Sequence, residues 1–216
     1  MDTITSHNNE QILRSNRRAL ILTFVVFLLP VVAAYTVLKT GWYRAAGTAN
    51  KGMLITPPVV FDDLELSDRE HTRIPPQHFR KKWWILYVIP EHCADTCRNS
   101  LYQMRQVHKA LGAEQSRVKE LIIRPYPVPD TLAQWLQTEF PEAEQAEVSP
   151  TQLNRVLQRA FPADANPSQA GHLFLMDTLG AIFMHYRGYA NEHESILKGR
   201  DLLKDLQRVL KYSKIG

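Results

Sequence analysis

Cysteine is the scarcest resource in this chain: 216 residues hold only two, Cys93 and Cys97. Two are too few for a disulfide-stapled scaffold, and a pair set four apart suits redox or metal chemistry instead. No Cys-x-x-Cys occurs, so the ordinary dithiol motif is absent. No block of one sign of charge stands out either. Lys and Arg number 26 against 22 Asp and Glu, a net charge of +4, and they are scattered apart from a cluster beside one apolar run. That distribution reads as solvation and membrane topology, not as a nucleic-acid surface. There is no internal repeat and no low-complexity tract. A chain of this length, with one segment given to a membrane, has room for a single soluble domain of about 150 residues.

The longest uncharged run is 19–38, ALILTFVVFLLPVVAAYTVL, with only Thr23, Tyr35 and Thr36 mildly polar. About twenty helical residues cross a hydrocarbon core of about 30 Å. Pro30 would break a soluble helix but is tolerated in a membrane span. A cleaved signal peptide is the alternative, but the run exceeds the usual apolar stretch of roughly 7 to 15 residues and no clear A-x-A site follows. The expectation is a transmembrane helix over 19–38 preceded by a short cytoplasmic tail, 1–18. Arg14, Arg17 and Arg18 lie closer to the span than Lys39, Arg44 and Lys51 do as a group, which places the N-terminus inside. In a bacterium the soluble part would then lie in the periplasm, held to the inner membrane by one pass, where a cysteine pair persists as a disulfide.

Residues 39–58 include Gly41, Gly47, Gly52, Pro57 and Pro58 and read as a linker, leaving a domain over 59–216. Within it, residues 83–89 (WWILYVI) form a continuous apolar run closed by Pro90, as a central strand covered on both faces requires. Residues 121–123 are a shorter run of the same kind. Leu101, Met104, Val107 and Leu111 recur between them at helical spacing, so strand, helix and strand form a parallel crossover. Helical patterns follow over 131–140 and 151–161, the second opening at Pro150 and Thr151. Residues 173–176 and 182–186 read as a hairpin around Asp177, Thr178, Leu179 and Gly180. A last helix sets Ile196, Leu203, Leu206 and Leu210 on one face. The fold class is α/β, a mixed sheet flanked by helices of thioredoxin type.

Cys93 and Cys97 fall just after the central strand and at the beginning of the next helix, where free N–H groups and the helix dipole favour a thiolate. If both residues are helical, the i, i+4 spacing sets them about 6 Å apart along the axis, close enough for a disulfide or for two thiolates to grip one Cu(I). Buried, inert cysteines are the plain alternative. A strand-to-helix junction in an open α/β sheet is an exposed functional edge, which favours activity.

The stretch FRKKWWILYVIPEHCADTCRNSLYQM, residues 79–104, resembles the Sco family of copper-handling assembly factors for cytochrome oxidase. In that family an aromatic-rich strand runs into a His-Cys-Pro-Asp-x-Cys-Pro motif, matched here by His92, Cys93, Asp95 and Cys97. The order of elements, anchor included, follows the family over most of the chain. Ala94 and Arg98 replace the motif's two prolines, loosening the loop and adding a positive charge beside Cys97. The resemblance implies copper, Cu(I), held by Cys93, Cys97 and a histidine as third ligand. Counting back from Phe174 by the family's spacing lands on Gln169, and the nearest histidine is His172. That odd offset turns His172 to the opposite face if the strand is regular there. His185 and His193 are weaker candidates. His92 can tune the neighbouring thiolate, Asp95 is expected to cap or orient the helix start, and Met104 and His108 are expected in the core and on the surface respectively.

Three functions remain open at this level. The first is a membrane-anchored assembly factor that delivers copper to, or reduces the cysteines of, the copper-bearing subunit of cytochrome oxidase. The second is a general membrane-tethered thiol-disulfide oxidoreductase with Cys93 as nucleophile and Cys97 as resolving thiol. The third is a non-catalytic docking module with a degenerate metal site.

Overall fold

The computed structural model describes residues 3–40 and 50–213. Two compact units result, 1–49 and 50–216. The described residues of the first form helix α1, Thr3–Thr40, unbroken through Pro30. Its stretch Asn16–Val37, with a mean hydropathy of 2.5, is long and apolar enough to cross a membrane. The hydroxyls of Thr23 and Thr36 donate to the carbonyls of Ala19 and Ala33, which satisfies them inside an apolar segment. A helix of this kind suits single-pass anchoring.

The second unit is a six-stranded sheet of β1 (Met53–Val60), β2 (Trp83–Val88), β3 (Val118–Arg124), β4 (Glu144–Glu147), β5 (Leu173–Met176) and β6 (Ala181–Tyr186), in the spatial order β1-β6-β5-β2-β3-β4. β2 pairs with β3, and β3 with β4, in parallel; the other pairings are antiparallel. Four helices cover it: α2 (Asp95–Ala110), α3 (Asp130–Glu139), α4 (Pro150–Leu157) and α5 (Glu192–Tyr212). β2 is buried at every position, because alternate residues enter opposite cores. Trp83, Ile85, Tyr87 and Ile89 face α2 and α5, while Trp84, Leu86 and Val88 pack with Phe61, Phe79, Leu153 and Phe174 on the other side. This is the mixed, helix-flanked sheet of the thioredoxin type. The β5–β6 turn is held by the Asp177 carboxylate, which accepts from the backbone N–H of Leu179 and Ala181, with Gly180 at φ +80.

Four details differ from expectation. The linker expected over 39–58 ends earlier, since β1 begins at Met53; its residues 41–49 lie outside those described. β1 is an edge strand whose register with β6 breaks between Leu54 and Val59, so Pro57 and Pro58 sit where no ladder donor is needed. β4 was not anticipated: it is the other edge, three of its four residues are polar and half-buried, and only Ala146 is fully buried. The helix expected over 151–161 stops at Leu157 and tightens into a 3-10 turn, Gln158–Ala160. On α5 the core face is Leu202, Leu206 and Leu210, whereas Ile196 is 58% exposed.

Candidate functional site

Pro90 ends the central strand, and Glu91, His92, Cys93 and Ala94 form the loop that enters α2. Proline has no N–H to extend the ladder, so the chain turns out of the sheet at its C-terminal edge. Ala94 is the N-cap and has no side-chain acceptor to offer the first turn. Asp95, expected to cap or orient the helix start, is the first helical residue and exposed; it is not the cap, and its carboxylate complements the positive end of the helix.

Cys93 and Cys97 are joined as a disulfide with a Cα separation of 5.0 Å. Only Cys97 is helical. Cys93 precedes α2 by two residues, so the two sulfurs meet across the loop-helix junction rather than along one helix face. The partners are unequal. Cys97 is 1% exposed and packs with Leu101 and Met104 on the core face of α2, while Cys93 is half-buried. Cys93 opens onto a cleft of about 500 Å³ whose walls include Glu91, His92, Arg98, Leu132 and Trp135. His92 and Arg98 are exposed at its rim. An incoming thiolate can therefore reach Cys93, and the sulfur it releases is the sheltered one.

The loop is tied to the segment before β5 by Gln169. Its carbonyl oxygen accepts from the Glu91 N–H at 3.1 Å, and its amide nitrogen donates to the Glu91 carboxylate at 3.3 Å. Gln169 is the position reached by counting along the Sco pattern, and it does lie beside the cysteine loop. Its chemistry is that of an amide, not an imidazole.

His172 lies elsewhere. Its side chain alternates with Leu173, which faces α2, and so shares the face of Phe174. There its Nδ1 meets the Nδ1 of His185 at 2.9 Å, one ring donating and the other accepting, and its ring packs on Phe161 and His185 at centroid separations of 5.0 and 5.1 Å. Burial first, then the charges of His185 and Arg187, hold the His172 imidazole down to about 4, and burial lowers His185 as well. The structure thus joins Cys93 to Cys97 and leaves His172 on the opposite side of the sheet. His193 is exposed in the first turn of α5. Met104 is in the core as expected, but His108 is buried too: its Nε2–H donates to the Val118 carbonyl at 2.9 Å. Among the described residues no cluster of three or more His, Cys, Asp or Glu side chains suits a metal ion. His172 therefore does not stand with the two sulfurs, and Gln169 occupies the place beside the cysteine loop.

Tyr87 was read only as part of the apolar run and Ser100 not at all. Tyr87 packs from β2 in the same core as Cys97, and Ser100 is buried on α2.

No curated protein matches the sequence. Among solved structures, apo Sco1 from Thermus thermophilus superposes with a TM-score of 0.55 at 18% identity, over 77% of this chain and 100% of that one. Yeast Sco1 with copper bound superposes with a TM-score of 0.52 at 15% identity, over 77% of this chain and 96% of that one. At such identities the likeness is one of fold. A family described as transmembrane-like, thioredoxin-like, C-terminal domain matches residues 83–213, from the central strand through the cysteine pair to the end of α5. That match spans more than half of the sequence, and by it the chain belongs to the transmembrane-like, thioredoxin-like C-terminal domain family.

Proposed function

We propose that this protein is a membrane-tethered thiol-disulfide exchange factor of Sco-like fold that reduces a disulfide in a partner protein. The observation that carries the reading is the inequality of the two sulfurs: Cys93 half-open to a cleft, Cys97 sealed behind it at the start of a helix. In the reduced protein the Cys93 thiolate attacks one sulfur of the partner's disulfide and releases the other as a thiolate. Cys97 then attacks Cys93 Sγ, closes the intramolecular disulfide and frees the partner's second sulfur. Two electrons pass to the partner, and the two protons of the Cys93 and Cys97 thiols end on its two thiols. The helix start and the nearby Arg98 favour the thiolates this requires.

The Sco-like fold supports the copper-bearing subunit of cytochrome oxidase as that partner, its metal-site cysteines being the disulfide reduced before loading. Arg14, Arg17 and Arg18 support an N-terminus in the cytoplasm and a domain on the exported side, in a bacterium the periplasm. Copper carriage by Cys93 and Cys97 with His172 is supported less well, because Gln169 holds the third position and His172 is engaged with His185.

A trapping experiment tests the exchange reading. Cys97→Ser in the full chain lacks the resolving thiol and is expected to capture partners as mixed disulfides through Cys93, while Cys93→Ser captures none. Equal capture by both variants, or by neither, would refute the assignment of roles.

A further inference from the structure

The cleft that Cys93 opens onto has a wall from the start of α3, which the exchange of sulfurs does not itself use. Leu132 and Trp135 supply its apolar part, and their i, i+3 spacing sets them on one face of the helix. Like Cys93, both pack partly against the core beneath α2 and are otherwise open. The Trp135 indole is fixed from behind, meeting Tyr102 edge-on at a centroid separation of 5.7 Å and Phe140 at 5.3 Å. Arg105 pins α2 to α3: it donates to the Glu139 carbonyl at 2.7 Å and carboxylate at 3.0 Å, and its guanidinium lies over the Tyr102 and Phe140 rings. An indole held this way loses little freedom when a side chain settles on it. The charge in the cleft is one-sided. The Glu91 carboxylate is taken up by the Gln169 amide, whereas Arg98 is exposed and has no ion-pair partner among the described residues. Asp95 and Asp130 head their own helices and form no part of the walls.

A rigid apolar surface and one unpaired cation beside a reactive sulfur restrict which cysteines can approach it. We propose that this cleft selects a partner segment in which the attacked cysteine is flanked by a large apolar residue and by an acidic one. The apolar side chain lies on Leu132 and Trp135, and the carboxylate meets Arg98. An extended chain advances about 3.3–3.6 Å per residue, so the immediate neighbours of the cysteine fall inside a cleft of about 500 Å³. The assignment rests on the thiol-exchange reading above and names the substrate class of that site. The Cys93 thiolate attacks the sulfur of the flanked cysteine, the partner's disulfide bond breaks, and the electron pair leaves on the second partner sulfur. Cys97 then attacks Cys93 Sγ, closes the Cys93–Cys97 bond and returns the first partner sulfur as a thiolate. Two electrons and two protons have passed to the partner. The cleft contacts form before any bond changes, so they favour capture of a matching segment, while the exchange itself belongs to Cys93 and Cys97.

The test uses the full chain in detergent micelles, reduced beforehand and freed of reductant, and follows the release of probe thiol by alkylation and chromatography. The probes are disulfide-bridged dimers of the blocked tripeptides Leu-Cys-Glu, Leu-Cys-Lys and Gly-Cys-Glu, each made in both chain orders, with hydroxyethyl disulfide as a small neutral reference. Dividing each second-order rate constant by that of dithiothreitol with the same probe cancels the intrinsic reactivity of the disulfide. With the wild type, leucine should exceed glycine about tenfold, from partial burial of one aliphatic side chain. Glutamate should exceed lysine about fivefold, from attraction replaced by repulsion at an exposed arginine. Trp135→Ala should bring the leucine-to-glycine ratio close to one and leave the glutamate-to-lysine ratio standing, and Arg98→Gln should do the converse. A merely structural lesion would erase both ratios together. The wild-type ratios need no variant to fold: equal corrected rates for the three peptides would overturn the assignment, as would ratios that neither variant moves. A wild-type chain that reduces neither the peptides nor hydroxyethyl disulfide would instead overturn the exchange reading beneath it.

Discussion

The His172–His185 pair turns the orientation of one side chain into a measurable pH dependence. The folded His172 imidazole titrates at about 4, against about 6.5 in the unfolded chain. Between those values the unfolded state binds a proton that the folded state does not, so stability is complete above pH 6.5 and is lost as pH falls toward 4. At pH 5 the difference for this one group amounts to about 2 kcal/mol, from about 1.4 kcal/mol per pH unit. The perturbation is His172→Phe, which keeps a ring against Phe161 and His185 but removes both the titration and the hydrogen bond. At pH 7.5 the variant should be less stable by about 1 kcal/mol, since the His185 Nδ1 loses its partner. By pH 5 that deficit should vanish or reverse, because only the wild type bears the cost of keeping His172 neutral. Urea unfolding of the oxidised domain from Asn50 onward, followed by tryptophan fluorescence at the two pH values, reads this directly. Parallel pH profiles for wild type and variant would refute the burial of His172 on the far face of the sheet.

Three further outcomes follow from particular contacts. Gln169→His places an imidazole where the amide now meets the Glu91 loop, and the reduced variant should bind Cu(I) more tightly than wild type in a chelator competition; unchanged affinity would show that position 169 does not face the sulfurs. Asp205 accepts from the N–H groups of Lys51 and Gly52 and from the Tyr186 hydroxyl, so Asp205→Ala should cost about 3 kcal/mol in denaturant unfolding, and a loss under about 1 kcal/mol would show the clasp to be idle. On α5, Leu202→Ala should cost about 2–5 kcal/mol and Ile196→Ala under about 0.5, since the first is sealed in the core and the second is exposed; equal losses would contradict the face that α5 presents to the sheet.

The sequence exposed the centre of the fold better than its rims. β2 was legible because a strand buried on both faces must be apolar throughout, and the β5–β6 hairpin because Asp177 and Gly180 carry turn chemistry. The two strands that escaped notice are the two edges of the sheet. An edge strand pairs on one side only, so β1 can hold Pro57 and Pro58, and β4 can read Glu-Gln-Ala-Glu, without breaking a ladder. α5 was misphased because Ile196 is apolar yet points to solvent, which a hydrophobic pattern cannot distinguish from burial. At the site, the alternation of side chains already opposed His172 to the cysteines. What the sequence could not display was the contact between distant segments, Gln169 with Glu91.

The central claim is that the Cys93–Cys97 disulfide cycles on the exported side of the membrane, and thiol trapping in intact cells tests it most directly. Alkylation with a reagent that cannot cross the membrane, followed by a gel shift, should find oxidised and reduced forms together, with the reduced fraction rising when reductant is supplied and falling when it is withdrawn. A pair that stays fully oxidised under every condition, or that reacts only with a membrane-permeant reagent, would contradict the account.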